Sequence, residues 1–124
     1  MADRDSAQWW EALRRHEFVV QGCADCGRLR FPSRAYCAGC RSRSWRWQAV
    51  EPLARIESWI VTRGHTVVMV RLEAAADCVL YGHWRQPRAP RPGEQVHVAY
   101  EDADDVTVIE WRPGNTLAGG RGWN

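Results

Sequence analysis

Lysine is missing from this 124-residue chain, and all 17 basic residues are arginine. Set against 15 carboxylates they leave a formal net charge of +2, too small to mark a nucleic-acid binder on its own. No apolar run approaches the roughly 20 residues of a membrane span. The opening Met1-Ala2-Asp3-Arg4-Asp5 is charged and has no apolar signal core. The expectation is a cytoplasmic protein, where thiols stay reduced and paired cysteines favour a metal over disulfides. Internal repeats are absent apart from two short Cys motifs. None of the four histidines (His16, His65, His83, His97) has a serine, cysteine or acid at a recognisable catalytic spacing.

Those two Cys motifs carry the strongest signal. Cys23-Ala24-Asp25-Cys26 and Cys37-Ala38-Gly39-Cys40 are C-x-x-C pairs separated by a short loop. Two such turns can converge four sulfurs on one point, as a tetrahedral metal requires. Thiolates from Cys23, Cys26, Cys37 and Cys40 would fill a zinc shell and leave no position for water or substrate, so the reading is structural Zn2+ rather than catalysis. Iron in a rubredoxin-like redox role uses the same ligands and stays open as an alternative. A ribbon this short cannot bury a sufficient core alone, which is why metal belongs there. Gly27 follows the first pair, where a left-handed residue is favoured, and Arg41 holds the matching place after the second.

Around this motif Arg28, Arg30, Arg34, Arg41, Arg43 and Arg46 form a stretch that no acid interrupts. Arginine suits bidentate contacts to phosphate or carboxylate. Two other readings remain beside that one. The arginines can offset the charge near −2 of zinc with four thiolates, or genomic base composition can have produced the bias. Acids gather late, in Glu101-Asp102-Ala103-Asp104-Asp105, read as a solvated loop. Cys78 sits among Val79 and Leu80 and reads as a packed core thiol.

Residues 6–16 are predicted to form a helix capped by Asp5 or Ser6, with Trp9, Trp10 and Leu13 as its apolar stripe. The two tryptophans must dock, either on this chain's own barrel or on a partner subunit. Phe18–Gln21, Leu29–Phe31 and Ser44–Val50 read as the strands of the ribbon. Five more follow: Leu53–Thr62, Thr66–Leu72, Cys78–Trp84, Val96–Tyr100 and Val106–Trp111. Arg63-Gly64 makes a tight hairpin between the first two. Pro87, Pro90, Pro92 and Gly93 break the chain before the fourth. The fold class is mainly β: an N-terminal helix (1–17), a rubredoxin-like zinc ribbon (18–50), a five-stranded OB-fold barrel (51–113) and a mobile tail (114–124). An SH3-like barrel is the rival.

Read together, these segments resemble the bacterial and archaeal family in which a rubredoxin-like zinc ribbon precedes an OB-fold and which is associated with acyl-CoA metabolism. The matching stretches are Trp9-Trp10-Glu11-Ala12-Leu13, Cys23 through Pro32, Cys37-Ala38-Gly39-Cys40 followed by Ser44-Trp45-Arg46-Trp47, and Pro92-Gly93-Glu94-Gln95-Val96. The resemblance implies a non-catalytic accessory subunit of a thiolase-fold enzyme, which carries the catalytic residues and shares the acyl-CoA. The preferred case is a steroid side-chain retro-aldolase of the lipid-transfer-protein type, and thiolase or acyltransferase complexes are similar. The same module also occurs fused behind a hydratase domain, so the chain is either standalone or cut from a fusion. Trp9 and Trp10 would then anchor the partner, while Arg28, Arg30, Arg34, Arg41 and Arg43 would meet acidic partner surface or CoA phosphates. The connection at Arg63-Gly64 is shorter than in many members. The alternative is a single-stranded nucleic-acid module, since ribbons and OB-folds also serve there. The modest charge and late acids disfavour it.

Overall fold

In the computed structural model, which describes residues 4–32 and 34–114, the chain opens with helix α1, Arg4–Arg14. The expected span of 6–16 is displaced toward the N-terminus, so Asp5 and Ser6 lie inside the helix rather than ahead of it. The stop is set by His16. Its φ of 59° is left-handed, its amide donates to the Leu13 carbonyl, and the Glu17 amide donates to the Ala12 carbonyl. That hydrogen-bond pair is a Schellman end, usually built on glycine. The His16 ring stacks on Tyr100 at 4.4 Å and its Nε2 meets the Asp102 carboxylate at 3.0 Å, so tertiary contacts hold the unusual backbone.

The ribbon is a three-stranded antiparallel sheet of β1 (Val19–Cys23), β2 (Leu29–Arg30) and β3 (Trp45–Ala49), with β1 central. Five further strands follow: β4 (Leu53–Thr62), β5 (His65–Leu72), β6 (Val79–Trp84), β7 (Gln95–Ala103) and β8 (Val106–Pro113). They close in the order β4-β5-β6-β8-β7, with β7 returning to β4. The meander of the first three, the parallel β6–β8 pairing and the final antiparallel hairpin are those of an OB barrel, which removes the SH3-like rival. Arg63 and Gly64, at φ 51° and 81°, form the two-residue hairpin read from the sequence. β7 runs past its expected end at Tyr100, which places Glu101 and Asp102 in a strand instead of a loop. Residues 115–124, most of the expected tail, lie outside the described residues.

A bulge at Glu57 shifts the β4–β5 register: Ile56 faces Val70, but Ser58 faces Met69. Because side chains alternate along a strand, one extra residue exchanges the faces beyond it. Ala54 and Ile56 point inward before the bulge; Trp59 packs against the core after it, and Ile60 turns to solvent. Val68, Val70, Leu80, Val96, Ile109 and Trp111 fill the barrel. Gly82 is required on β6, because a Cβ there would lie 2.5 Å from the Trp111 ring. Leu13 and Phe18 bring the helix and the ribbon entry onto the same core, with Phe18 edge-on to Trp111 at 6.1 Å. Among the described residues no helix is long and apolar enough to cross a membrane.

Candidate metal centre and arginine surface

The two Cys turns are built alike. In the first, the Cys23 amide donates to the Arg28 carbonyl and the Gly27 amide returns to the Cys23 carbonyl. In the second, Cys37 donates to Ser42 and Arg41 returns to Cys37. Gly27 and Arg41 are both left-handed, at φ 81° and 66°, so the second turn holds arginine where glycine carries less strain. The Cys26 amide reaches Cys23 Sγ at 3.5 Å and the Gly39 amide reaches Cys37 Sγ at 3.3 Å. These dipoles favour thiolate. The Cys26 amide above all lowers the Cys23 thiol to about 6, and the Cys40 amide leads in lowering Cys37.

All four sulfurs lie within 4.8 Å of one another, with Cys23–Cys40 at 3.6 Å and Cys26–Cys37 at 3.5 Å. Zinc–sulfur bonds of about 2.3 Å in a tetrahedron require sulfurs about 3.8 Å apart. The donor set and its spacing therefore fit zinc. Cys23 and Cys37 are buried while Cys26 and Cys40 face solvent. Cys78 is the fifth cysteine and lies apart from the cluster; burial pushes its thiol up to about 11, as a core residue requires.

The tryptophans and arginines grouped from the sequence separate in space. Trp9 is buried, its Nε1 donates to the Val19 carbonyl at 3.0 Å, and its ring lies 5.0 Å from Phe31. Its docking site is this chain, which corrects its place among the partner anchors. Trp10, about 100° further round the helix, is 41% exposed. Arg30 is likewise corrected: it is buried on β2, hydrogen-bonded to Gln21 Oε1 and to the Arg34 carbonyl, and cannot reach an outside phosphate. Arg28 spans from the first turn to Asp77 in the barrel at 2.8 Å. Arg34 and Arg41 face solvent, and Arg43 lies over the Tyr36 ring at 4.8 Å while donating to its hydroxyl. Composition offers no signal that separates a buried arginine from an exposed one; the alternation around Gln21 and Arg30 in paired strands decides it.

The late acids also have partners. Glu101 takes Arg85 in a two-point ion pair and lies 3.5 Å from His83 Nδ1. Asp102 accepts from Thr107 Oγ1 at 2.6 Å as well as facing His16, and both bonds, Thr107 first, hold its carboxyl below the usual range. The solvated-loop reading is corrected for these two residues. Residue type alone does not reveal these partners: Arg85 and His16 lie far off in the chain, and Thr107 faces Asp102 only through the β7–β8 register.

Residues 10–46 match the family model described as ChsH2, rubredoxin-like zinc ribbon domain. The probable enoyl-CoA hydratase alpha subunit of Thermomonospora curvata is 36% identical over 59 residues, which is 48% of this chain and 18% of that protein. The chain thus spans less than a fifth of that curated relative. Among solved structures, a chain of the Ltp2-ChsH2(DUF35) aldolase superposes with a TM-score of 0.80 at 27% identity, covering 90% of this chain and 96% of that one. A DUF35-family protein of unknown function from Sulfolobus solfataricus shares the fold, with a TM-score of 0.62 at 16% identity over 78% of each chain. The resemblance drawn from the sequence holds in its fold: a rubredoxin-like zinc ribbon, with zinc as its structural metal, precedes an OB-fold barrel, as in the DUF35 chain it superposes on.

Proposed function

We propose that this chain is a non-catalytic accessory subunit of an acyl-CoA enzyme. The observation that carries the reading is the near-complete superposition, ribbon and barrel together, on a chain of the Ltp2-ChsH2(DUF35) aldolase. The hydratase-subunit relative adds the acyl-CoA theme from a second direction. We take the partner to be a thiolase-fold subunit, and the preferred reaction to be retro-aldol cleavage of a steroid side chain held as a CoA thioester. In that arrangement Cys23, Cys26, Cys37 and Cys40 hold the zinc that shapes the ribbon. Exposed Arg34, Arg41 and Arg43 offer donors to CoA phosphates. The division at residues 18–50 and 51–113 follows the same logic, one metal-built unit and one core-built unit.

The site chemistry supports a helper role. Zinc held by all four cysteines would leave no open coordination position, and Cys78 is sealed in the core with its thiol raised. Arg28, Arg71, Arg85 and Arg88 are each paired with a carboxylate of this chain, which draws down the charge a nucleic-acid strand would need. Co-expression with the thiolase-fold subunit followed by gel filtration tests the proposal. One co-eluting peak that cleaves an acyl-CoA aldol, with neither component active alone, is expected. Two separate peaks at micromolar concentration, or thioester turnover by this chain unaided, would overturn it.

A further inference from the structure

Part of the outer face of the β4–β5–β6 meander is apolar where an antiparallel barrel ordinarily turns polar residues to water. The bulge at Glu57 brings Ile60 out, opposite Val67, and Met69 stands opposite Tyr81. Ile60 is 63% exposed and Tyr81 64%. Trp10 extends this face from the helix, and between them lies a groove of about 220 Å³ lined by Trp10, Leu13, Val67, Tyr81, His83 and Val108. Contiguous exposed aromatic and aliphatic side chains of this kind mark protein contact surfaces.

Two arginines at the edge of the face are held in ion pairs. Arg71 pairs with Glu57, and Arg85 pairs with Glu101. Arg85 Nη2 also approaches His83 Nδ1 at 2.8 Å. Glu101 Oε1 lies 3.5 Å from the same nitrogen, so the ring is held between the two members of that ion pair. The groove is therefore a largely apolar surface with the His83 ring at its margin.

We propose that this face, rather than the arginine-bearing ribbon, is the surface covered by the catalytic subunit. The inference rests on the accessory-subunit reading above. Its occupant is a different protein and not a second copy, because the superposed relative's name joins two components, Ltp2 and ChsH2(DUF35), and that chain is itself covered over 96% of its length by this fold. The partner patch is correspondingly apolar. The division of labour then leaves Arg34, Arg41 and Arg43 on the ribbon for the anionic ligand.

The test is a binding titration of the Ltp2-type thiolase-fold subunit with wild-type chain and with Ile60→Arg and Tyr81→Arg. Both side chains are exposed, so unchanged zinc content and melting temperature certify the folded state. Each change is expected to weaken binding at least about thirty-fold, the scale of an interface anchor. Wild-type affinity is expected to vary less than about three-fold between roughly 0.1 and 0.5 M NaCl, since no ion pair crosses the contact. Variants that bind like wild type, a steep loss with salt, or a self-dimer of wild type dissolved by the same substitutions would each overturn the assignment. Failure of the wild-type chain to bind at all would sink the accessory-subunit reading and this one with it, whereas binding indifferent to both substitutions sinks this one alone.

Discussion

Arg28 Nε donates to Asp77 Oδ2 at 2.8 Å, so a side chain rooted in the first Cys turn grips the barrel. The same guanidinium overlies Gly39, where an added Cβ would stand 2.8 Å from Arg28 Nη1. One arginine therefore touches both Cys turns and the barrel beyond them. Beside it, the Val79 amide donates to the Phe31 carbonyl, a second stitch across the same seam. Exposed ion pairs add little to stability on their own, so the consequence is sought in metal retention. Arg28→Ala is expected to speed zinc release to a competing chelator several-fold, and Asp77→Asn to do so less, as read with a chromophoric zinc indicator. Equal release rates in all three proteins would refute the strut.

Gly82 packs directly beneath the Trp111 ring in the barrel. A Cβ at residue 82 would also meet the Ile109 carbonyl at 3.0 Å, so neither the ring nor the backbone can yield cheaply. Gly82→Ala is expected to cost about 2–3 kcal/mol through overpacking. Urea unfolding at saturating zinc measures it, and a loss below half that range would mean that the barrel is looser than its packing implies.

The two Cys turns offer a paired experiment on backbone strain alone. Nothing lies within 4 Å of a Cβ at Gly27, so Gly27→Ala tests only its left-handed φ and should destabilise by about 1 kcal/mol. Arg41→Gly relieves the corresponding strain in the second turn and should stabilise by roughly 0.5–1 kcal/mol. Thermal unfolding of the zinc-loaded proteins gives both signs, and matching signs would disprove the account.

Glu94 carries a pH signature. Its carboxylate takes both Arg88 amines and the Arg91 amide, and the Arg88 bonds lead in holding its carboxyl below the ordinary 4.5. A depressed folded-state value means stability present above the unfolded pKa and lost as pH falls through the folded one. Glu94→Gln is therefore expected to cost about 1 kcal/mol near neutrality after solvent screening. The gap from wild type should close below pH of about 4. Parallel melting curves at all pH values would contradict it.

Much of this architecture was legible in the residues because it depends on local spacing. The C-x-x-C pairs, the Arg63-Gly64 turn and the five barrel strands all follow from short-range patterns. The errors share another cause. His16 ends the helix in a conformation glycine usually supplies, and it does so with Tyr100 and Asp102 as distant supports. Arg30 reads as a surface residue by type and Trp9 as docking on either this chain or a partner, yet pairing with β1 and the helix's seat on the ribbon bury them.

The order of cysteines fixes which four sulfurs can meet, since two-residue loops constrain geometry without help from the rest of the chain. Barrel closure, the fate of each arginine and the apolar outer face were decided in three dimensions. A single bulged residue, Glu57, reverses which side of β4 meets water, and no alternation rule applied along the sequence can place that reversal until the partner strand is aligned beside it.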